Sequence, residues 1–124
     1  MALFRIHMNA ARSEVFPNGS DKHGYDFVAP LDGDSLLDPE AWKAHAKDCW
    51  VRRFWANEPE ERGTLRHIGK GWVIDYDPST TDDNEPFFKL DKHKLEVGEY
   101  LSVKEADGDL VTFQIVSVQP YLKG

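Results

Sequence analysis

The sequence has little sulfur and no long apolar run. It holds a single cysteine, Cys49, which cannot form an internal disulfide, so nothing in the cysteine content requires an oxidising compartment. Asn9 and Arg12 interrupt the first hydrophobic segment, which predicts neither a signal peptide nor a membrane span. These absences favour a cytoplasmic protein.

A basic tail is also missing, and acidic residues are in excess throughout. The chain carries 15 Lys and Arg against 22 Asp and Glu, a net charge of −7. Such a chain repels phosphate backbones, so nucleic acid is not an expected partner unless the fold builds a local basic patch. With 124 residues, 40% of them hydrophobic, the sequence predicts one folded domain spanning residues 1–124.

Period-two alternation dominates the chain and predicts strands. Leu3 to Met8 alternates with Phe4, Ile6 and Met8 facing inward. A loop is expected from Asn9 to Gly24, followed by a short strand that Pro30 ends. Three further short strands are predicted as a meander over residues 50–56, 64–68 and 72–76.

The last strand pair is the clearest structural signal. Residues 97–118 hold two runs rich in β-branched and aromatic residues around the turn Ala106-Asp107-Gly108-Asp109, which predicts a hairpin. Leu101 and Val103 share its inner face. Leu110 and Val116 make the second run nearly continuous in hydrophobicity, so both of its faces are expected to be partly covered.

One helix is expected between the second and third strands. Asp38 suits the N-cap and Pro39 the first helical position, and Trp42 would dock the short helix on a sheet. The sequence therefore predicts a mainly β (α+β) fold: a small antiparallel curled sheet or barrel of about seven short strands with one covering helix.

Arginines and aromatic residues cluster in the meander. Arg52, Arg53, Arg62 and Arg66 lie among Trp50, Phe54, Trp55 and Trp72. Guanidinium groups beside aromatic rings suit carboxylates, phosphates or flat rings. We therefore expect a binding or interaction module that holds an acidic or aromatic ligand, or a protein partner, without a cofactor. The residues expected to bind it are Arg52, Arg53, Arg66, Trp55 and Trp72. The alternative for this cluster is that acidic neighbours pair with the arginines while the Trp rings are core.

Two other function classes stay open. A metal-dependent or hydrolytic enzyme would draw its ligands from His7, His23, His67 and Asp26, if a β fold brought them together. An obligate homodimer would explain the aromatic content without any small ligand. The segment from Asp75 to Glu85 is rich in acidic residues, which predicts an exposed loop. The alternative role for this segment is weak binding of a cation.

Signatures of catalysis are missing. The sequence has no G-x-S-x-G elbow, Walker loop or G-x-G-x-x-G. Cys49 follows the predicted helix, where the negative end of the helix dipole raises the thiol pKa, so it is expected to pack as a small buried residue.

Several segments together carry a resemblance: NAARSEVFPNGSDKHGYDFVAPLD, DPEAW, VRRFW, DYDP, GEYLSV and TFQIVSV. In that order they resemble a family of small, uncharacterised bacterial proteins. That family has no established activity, so the resemblance implies a stand-alone bacterial cytoplasmic protein and nothing about chemistry.

Overall fold

The computed structural model describes residues 2–14, 16–68, 71–76, 85–88, 93–104 and 110–121. Its strands form one closed antiparallel barrel in which each strand pairs with its neighbours in sequence and the first pairs with the last. The strands are β1 (Ala2–Ala10), β2 (Ser20–Leu31), β3 (Trp50–Phe54), β4 (Glu61–Ile68), β5 (Gly71–Asp75), β6 (Glu85–Phe88), β7 (Tyr100–Lys104) and β8 (Leu110–Pro120). The predicted mainly β fold is confirmed.

The covering helix is also confirmed. Helix α1 (Pro39–His45) continues as a 3-10 turn over Ala46–Asp48. The Asp38 carboxylate caps it by accepting hydrogen bonds from two backbone N–H groups of its first turn, at 3.1 and 3.2 Å. Trp42 docks the helix on the barrel by donating its indole N–H to the Leu65 carbonyl oxygen at 2.9 Å.

The inner faces of the strands pack into one hydrophobic core. Ile6 and Met8 of β1 are fully buried, and Leu101 and Val103 of β7 face the same interior. Large side chains, including Tyr25, fill the centre of the barrel, so its wall encloses a packed core.

Two strand limits differ from expectation. β1 extends to Ala10 and β2 begins at Ser20, so the predicted loop over 9–24 is shorter. β2 also passes through Pro30. Beyond Phe27 this strand pairs with β1 but not with β3, and proline is tolerated where a strand is paired on one side.

The outer face of β8 is partly covered, as expected. Thr112 and Gln114 are half-buried on this face, whereas Leu110 and Val116 are 56% and 44% exposed. In the acidic segment, Asp75 is buried in β5 and Glu85 begins β6. Residues 77–84 of that segment and the predicted turn at 106–109 lie outside the described residues.

Candidate functional site

Asp26 is a carboxylate on the outer wall of the barrel that is nevertheless buried. Its neighbours Tyr25 and Phe27 point into the core, so strand alternation turns Asp26 outward. The strand register places it beside His7 of β1 and Arg52 of β3. Only 2% of its side chain is exposed, because side chains from both neighbouring strands cover it.

Three cationic side chains converge on this carboxylate. Oδ2 of Asp26 lies 2.9 Å from Nη2 of Arg52 and 3.3 Å from Nη2 of Arg5, and Oδ1 lies 2.7 Å from Nδ1 of His7. We call Arg5, His7, Asp26 and Arg52 the Asp26 cluster. It joins three consecutive strands, β1, β2 and β3, across the outer wall.

The contacts shift the pKa values of two groups in the cluster. The hydrogen bond to Asp26 raises the pKa of the His7 imidazole, which favours the imidazolium. Burial acts to raise the pKa of the Asp26 carboxyl, but the hydrogen bonds from His7 and Arg5 outweigh burial and hold this pKa below its ordinary value. In its imidazolium form, His7 donates from Nδ1 to Asp26 and from Nε2 to Oδ1 of Asn9, at 3.0 Å. Two guanidinium groups and this imidazole therefore face the Asp26 carboxylate.

Aromatic rings flank the cluster. The Phe54 ring stacks on the His7 imidazole, with centroids 5.3 Å apart and planes 13° from parallel. The Arg52 guanidinium lies 5.3 Å from the centroid of Phe54, and the Arg5 guanidinium lies 5.6 Å from the centroid of Trp50. The outer wall therefore combines cationic groups with flat apolar surface.

Glu60 forms the border of the cluster. Its carboxylate lies 3.4 Å from Arg52 and 3.3 Å from Arg62. The Arg62 side chain is 70% exposed. The contact between Glu60 and Arg62 is therefore largely in solvent, where an ion pair is weak and easily displaced.

The five residues expected to bind a ligand do not share one surface. Arg52 lies on the outer wall, whereas Arg53 points into the barrel and is 9% exposed, because consecutive residues of a strand face opposite sides. The Arg53 guanidinium lies 4.2 Å from the centroid of the Trp55 ring, and Trp72 is 2% exposed. Arg66 is outside and contacts the buried carboxylate of Asp75 at 2.7 Å.

The three candidate histidines lie in three separate places. His7 meets Asp26, as the enzyme alternative required, but His23 contacts Ser20 and Trp55. His67 stacks on Trp72 with centroids 4.3 Å apart. Among the residues that the structure describes, no three His, Cys, Asp or Glu side chains are placed to hold a metal ion.

Neither His7 nor Cys49 has the geometry of a nucleophilic site. Nε2 of His7, the atom that would activate a nucleophile, is bonded to Asn9. Burial, with a contribution from Asp48, raises the pKa of the Cys49 thiol to about 12. That thiol donates to the His45 carbonyl oxygen at 3.4 Å, as a buried structural cysteine does.

Sequence reasoning missed the cluster as a unit. It named His7 and Asp26 in the enzyme alternative and Arg52 in the binding hypothesis, and it gave Arg5 and Asn9 no role. The polar positions of β1, which alternate with Ile6 and Met8, were the available signal. Their partners on β2 and β3 depend on strand register, which the sequence alone did not supply.

Comparison with known proteins does not extend this description. No protein-family model, curated protein or solved structure matches the chain. Among the described residues, no helix is both long and apolar enough to cross a membrane. The resemblance noted in the sequence stays a prediction.

Proposed function

We propose that this protein is a small binding module that holds an anionic group, a carboxylate or a phosphate, at the Asp26 cluster. The observation that carries the proposal is the convergence of Arg5, Arg52 and His7 on one buried carboxylate. Asp26 holds these donors in place. Glu60 also contacts Arg52 at the edge of the cluster, and a ligand anion would compete with this partly exposed pair for the cationic side chains, in a protein whose net charge is −7.

Accessibility supports the same site. The side chains of Arg5, His7 and Arg52 are 48%, 29% and 28% exposed, so each is partly covered and still reachable from solvent. Partly buried cations bind anions more strongly than fully hydrated ones, because the local dielectric constant is lower. Guanidinium groups also offer paired N–H donors that match the oxygens of a carboxylate or phosphate.

The aromatic border narrows the ligand class. Trp50 and Phe54 lie beside Arg5 and Arg52 and provide apolar surface next to the cationic groups. A ligand with an anionic group on a flat or apolar body would use both features. An acidic segment of a protein partner has the same chemistry. The proposal keeps the cytoplasm as the location, supported by the lone cysteine.

The test is a comparison of two arginines with the same local arrangement. Arg52 and Arg66 both lie on the outer wall, and each contacts a buried aspartate. Isothermal titration with inorganic phosphate, citrate and benzoate would measure anion affinity for the wild type, Arg52→Ala and Arg66→Ala. We expect Arg52→Ala to weaken binding by about tenfold or more, since a charge-assisted hydrogen bond is lost. Arg66→Ala should bind as the wild type does.

Two results would contradict this function. One is the absence of measurable binding of all three anions to the folded wild type. The other is an equal loss in both variants, which would show that the anion responds to general surface charge and not to the Asp26 cluster. Circular dichroism of each variant confirms that the fold is retained.

A further inference from the structure

A second feature of the outer wall is an open cleft of about 410 Å³ on the side of β1 away from the Asp26 cluster. Its volume falls within the range of small-molecule sites. The polar and aromatic side chains along it include those of Asn9, Arg12, Asn18, Asp21, Tyr100 and Gln114.

The barrel closure builds the floor of this cleft. Gln114 of β8 is in register with Asn9 of β1 on one side and with Tyr100 of β7 on the other. These three outward residues therefore form a row across three strands. The loop before β2 forms the wall, since Gly19 adopts φ +69° and a Cβ there would lie 3.1 Å from the Ala10 carbonyl oxygen. Glycine at this position allows the loop to lie close against β1.

The row presents both donors and acceptors of hydrogen bonds. Gln114 donates from Nε2 to the Gly98 carbonyl oxygen at 3.3 Å, which leaves its Oε1 as an acceptor. Asn9 uses its Oδ1 on His7 and retains amide N–H donors. Across the cleft, Arg12 and Asp21 are exposed and carry opposite charges, so the lining has no strong preference for an anion.

An aromatic surface completes the cleft. Tyr100 is 53% exposed, and Val116, which also lines the cleft, is 44% exposed. A solvent-facing phenol ring next to amide, carboxylate and guanidinium groups matches a ligand with one apolar face and a rim of hydroxyl groups. The ring of a pyranose sugar has that chemistry, since its C–H face packs on aromatic surface and each hydroxyl both donates and accepts.

We infer that this cleft binds the ring of a polyhydroxylated ligand, of which a pyranose is the representative. Binding of the neutral ring does not depend on the anion site. Asn9 lies at the border of the cleft and the Asp26 cluster, because it lines the cleft and its side chain bonds His7. Along the strand the two residues are roughly 6.6 Å apart.

Ligand-detected saturation-transfer NMR with the methyl pyranosides of glucose, galactose and mannose tests whether the cleft binds a pyranose ring. We expect transfer to the ring protons of at least one sugar. Tyr100→Ala should lower the affinity for that sugar by about tenfold, since the stacking surface is removed. Tyr100→Phe should retain most of it. Lys104→Ala is the matched control, because Lys104 is exposed on the same strand.

Two outcomes overturn the cleft assignment. One is the absence of saturation transfer from the folded wild type to all three sugars, and the other is transfer that is unchanged in Tyr100→Ala. Transfer that Tyr100→Ala lowers, and that Tyr100→Phe and Lys104→Ala retain, supports the assignment.

Discussion

Two adjacent arginines of β3 occupy opposite environments. Arg52 lies on the outer wall, 2.9 Å from the Asp26 carboxylate and beside His7 and Arg5. Arg53 lies inside the barrel, 4.2 Å from the centroid of the Trp55 ring. Its guanidinium also lies 3.8 Å from Glu58.

The difference shows how a strand assigns different roles to identical side chains. Outside, the positive charge of Arg52 is held by a carboxylate and stays in reach of solvent. Inside, the Arg53 side chain contributes packing of its methylene stem and of its planar guanidinium against an indole ring. We therefore expect Arg52 to influence binding and Arg53 to influence stability. The following predictions test this separation.

The largest effect is expected from Gly24→Ala, which would disrupt the outer wall. A Cβ at this position would collide with the Met8 carbonyl oxygen and would lie 2.9 Å from Cζ of Phe54, the ring that stacks on His7. The backbone must shift, so we expect a loss of about 3 kcal/mol in the free energy of unfolding. Urea denaturation measures this loss.

Gly33→Ala is the matched control for this substitution, because nothing lies within 4 Å of the added Cβ. It should change the free energy of unfolding by less than about 0.5 kcal/mol. Equal stability of the two variants would show that β1, β2 and β3 do not pack as closely as described.

An intermediate effect is expected from Arg53→Ala. The substitution removes a buried stem and the contact with Trp55, so the free energy of unfolding should fall by about 2 kcal/mol. Anion affinity in the calorimetric assay should stay as in the wild type. Arg62→Ala, at a side chain that is 70% exposed, should affect stability by less than about 0.5 kcal/mol. Loss of anion binding without loss of stability in Arg53→Ala would reverse the assigned roles.

The smallest effect is a pH dependence set by His7. Since the pKa of His7 is raised in the folded state, the stabilisation from its imidazolium is complete below its unfolded value of 6.5. This stabilisation is lost as the pH rises through the folded value. The stability difference between the wild type and His7→Gln should thus be about 1 kcal/mol near pH 6 and smaller near pH 9.

Urea denaturation at the two pH values checks this dependence. His45→Gln is the control, because His45 contacts Asp48 at 3.8 Å on the helix surface, and this longer contact should contribute less. If the difference in the free energy of unfolding between the wild type and His7→Gln grew with pH, the imidazolium of His7 would not be the stabilising form.

Local patterns in the sequence predicted much of the fold. Alternation identified the buried faces of Ile6 and Met8, and the Asp38-Pro39 pair identified the start of the helix. These features depend on neighbours in the chain, as does the shared inner face of Leu101 and Val103. They were therefore visible without knowledge of the tertiary structure.

The candidate site was less visible because it depends on register. Arg5, Asp26 and Arg52 come together only when three strands align, and a shift of one residue would turn Asp26 into the core. The aromatic and basic composition of 50–72 was noticed correctly. Because consecutive residues of a strand face opposite sides, some of these side chains lie on the outer wall and others in the interior. Arg52 and Arg53 are separated in this way.

The pairing of β1 with β8 has a kinetic consequence. Every other strand pair in the described part of the barrel joins consecutive strands, whereas this one brings Phe4 to Pro120. Sequential hairpins close short loops at low entropic cost, so the final seam should be the slow step of folding. Until it closes, β1 and β8 each present an unpaired edge that a second chain could occupy. Conditions that open this seam are therefore those under which the protein should aggregate.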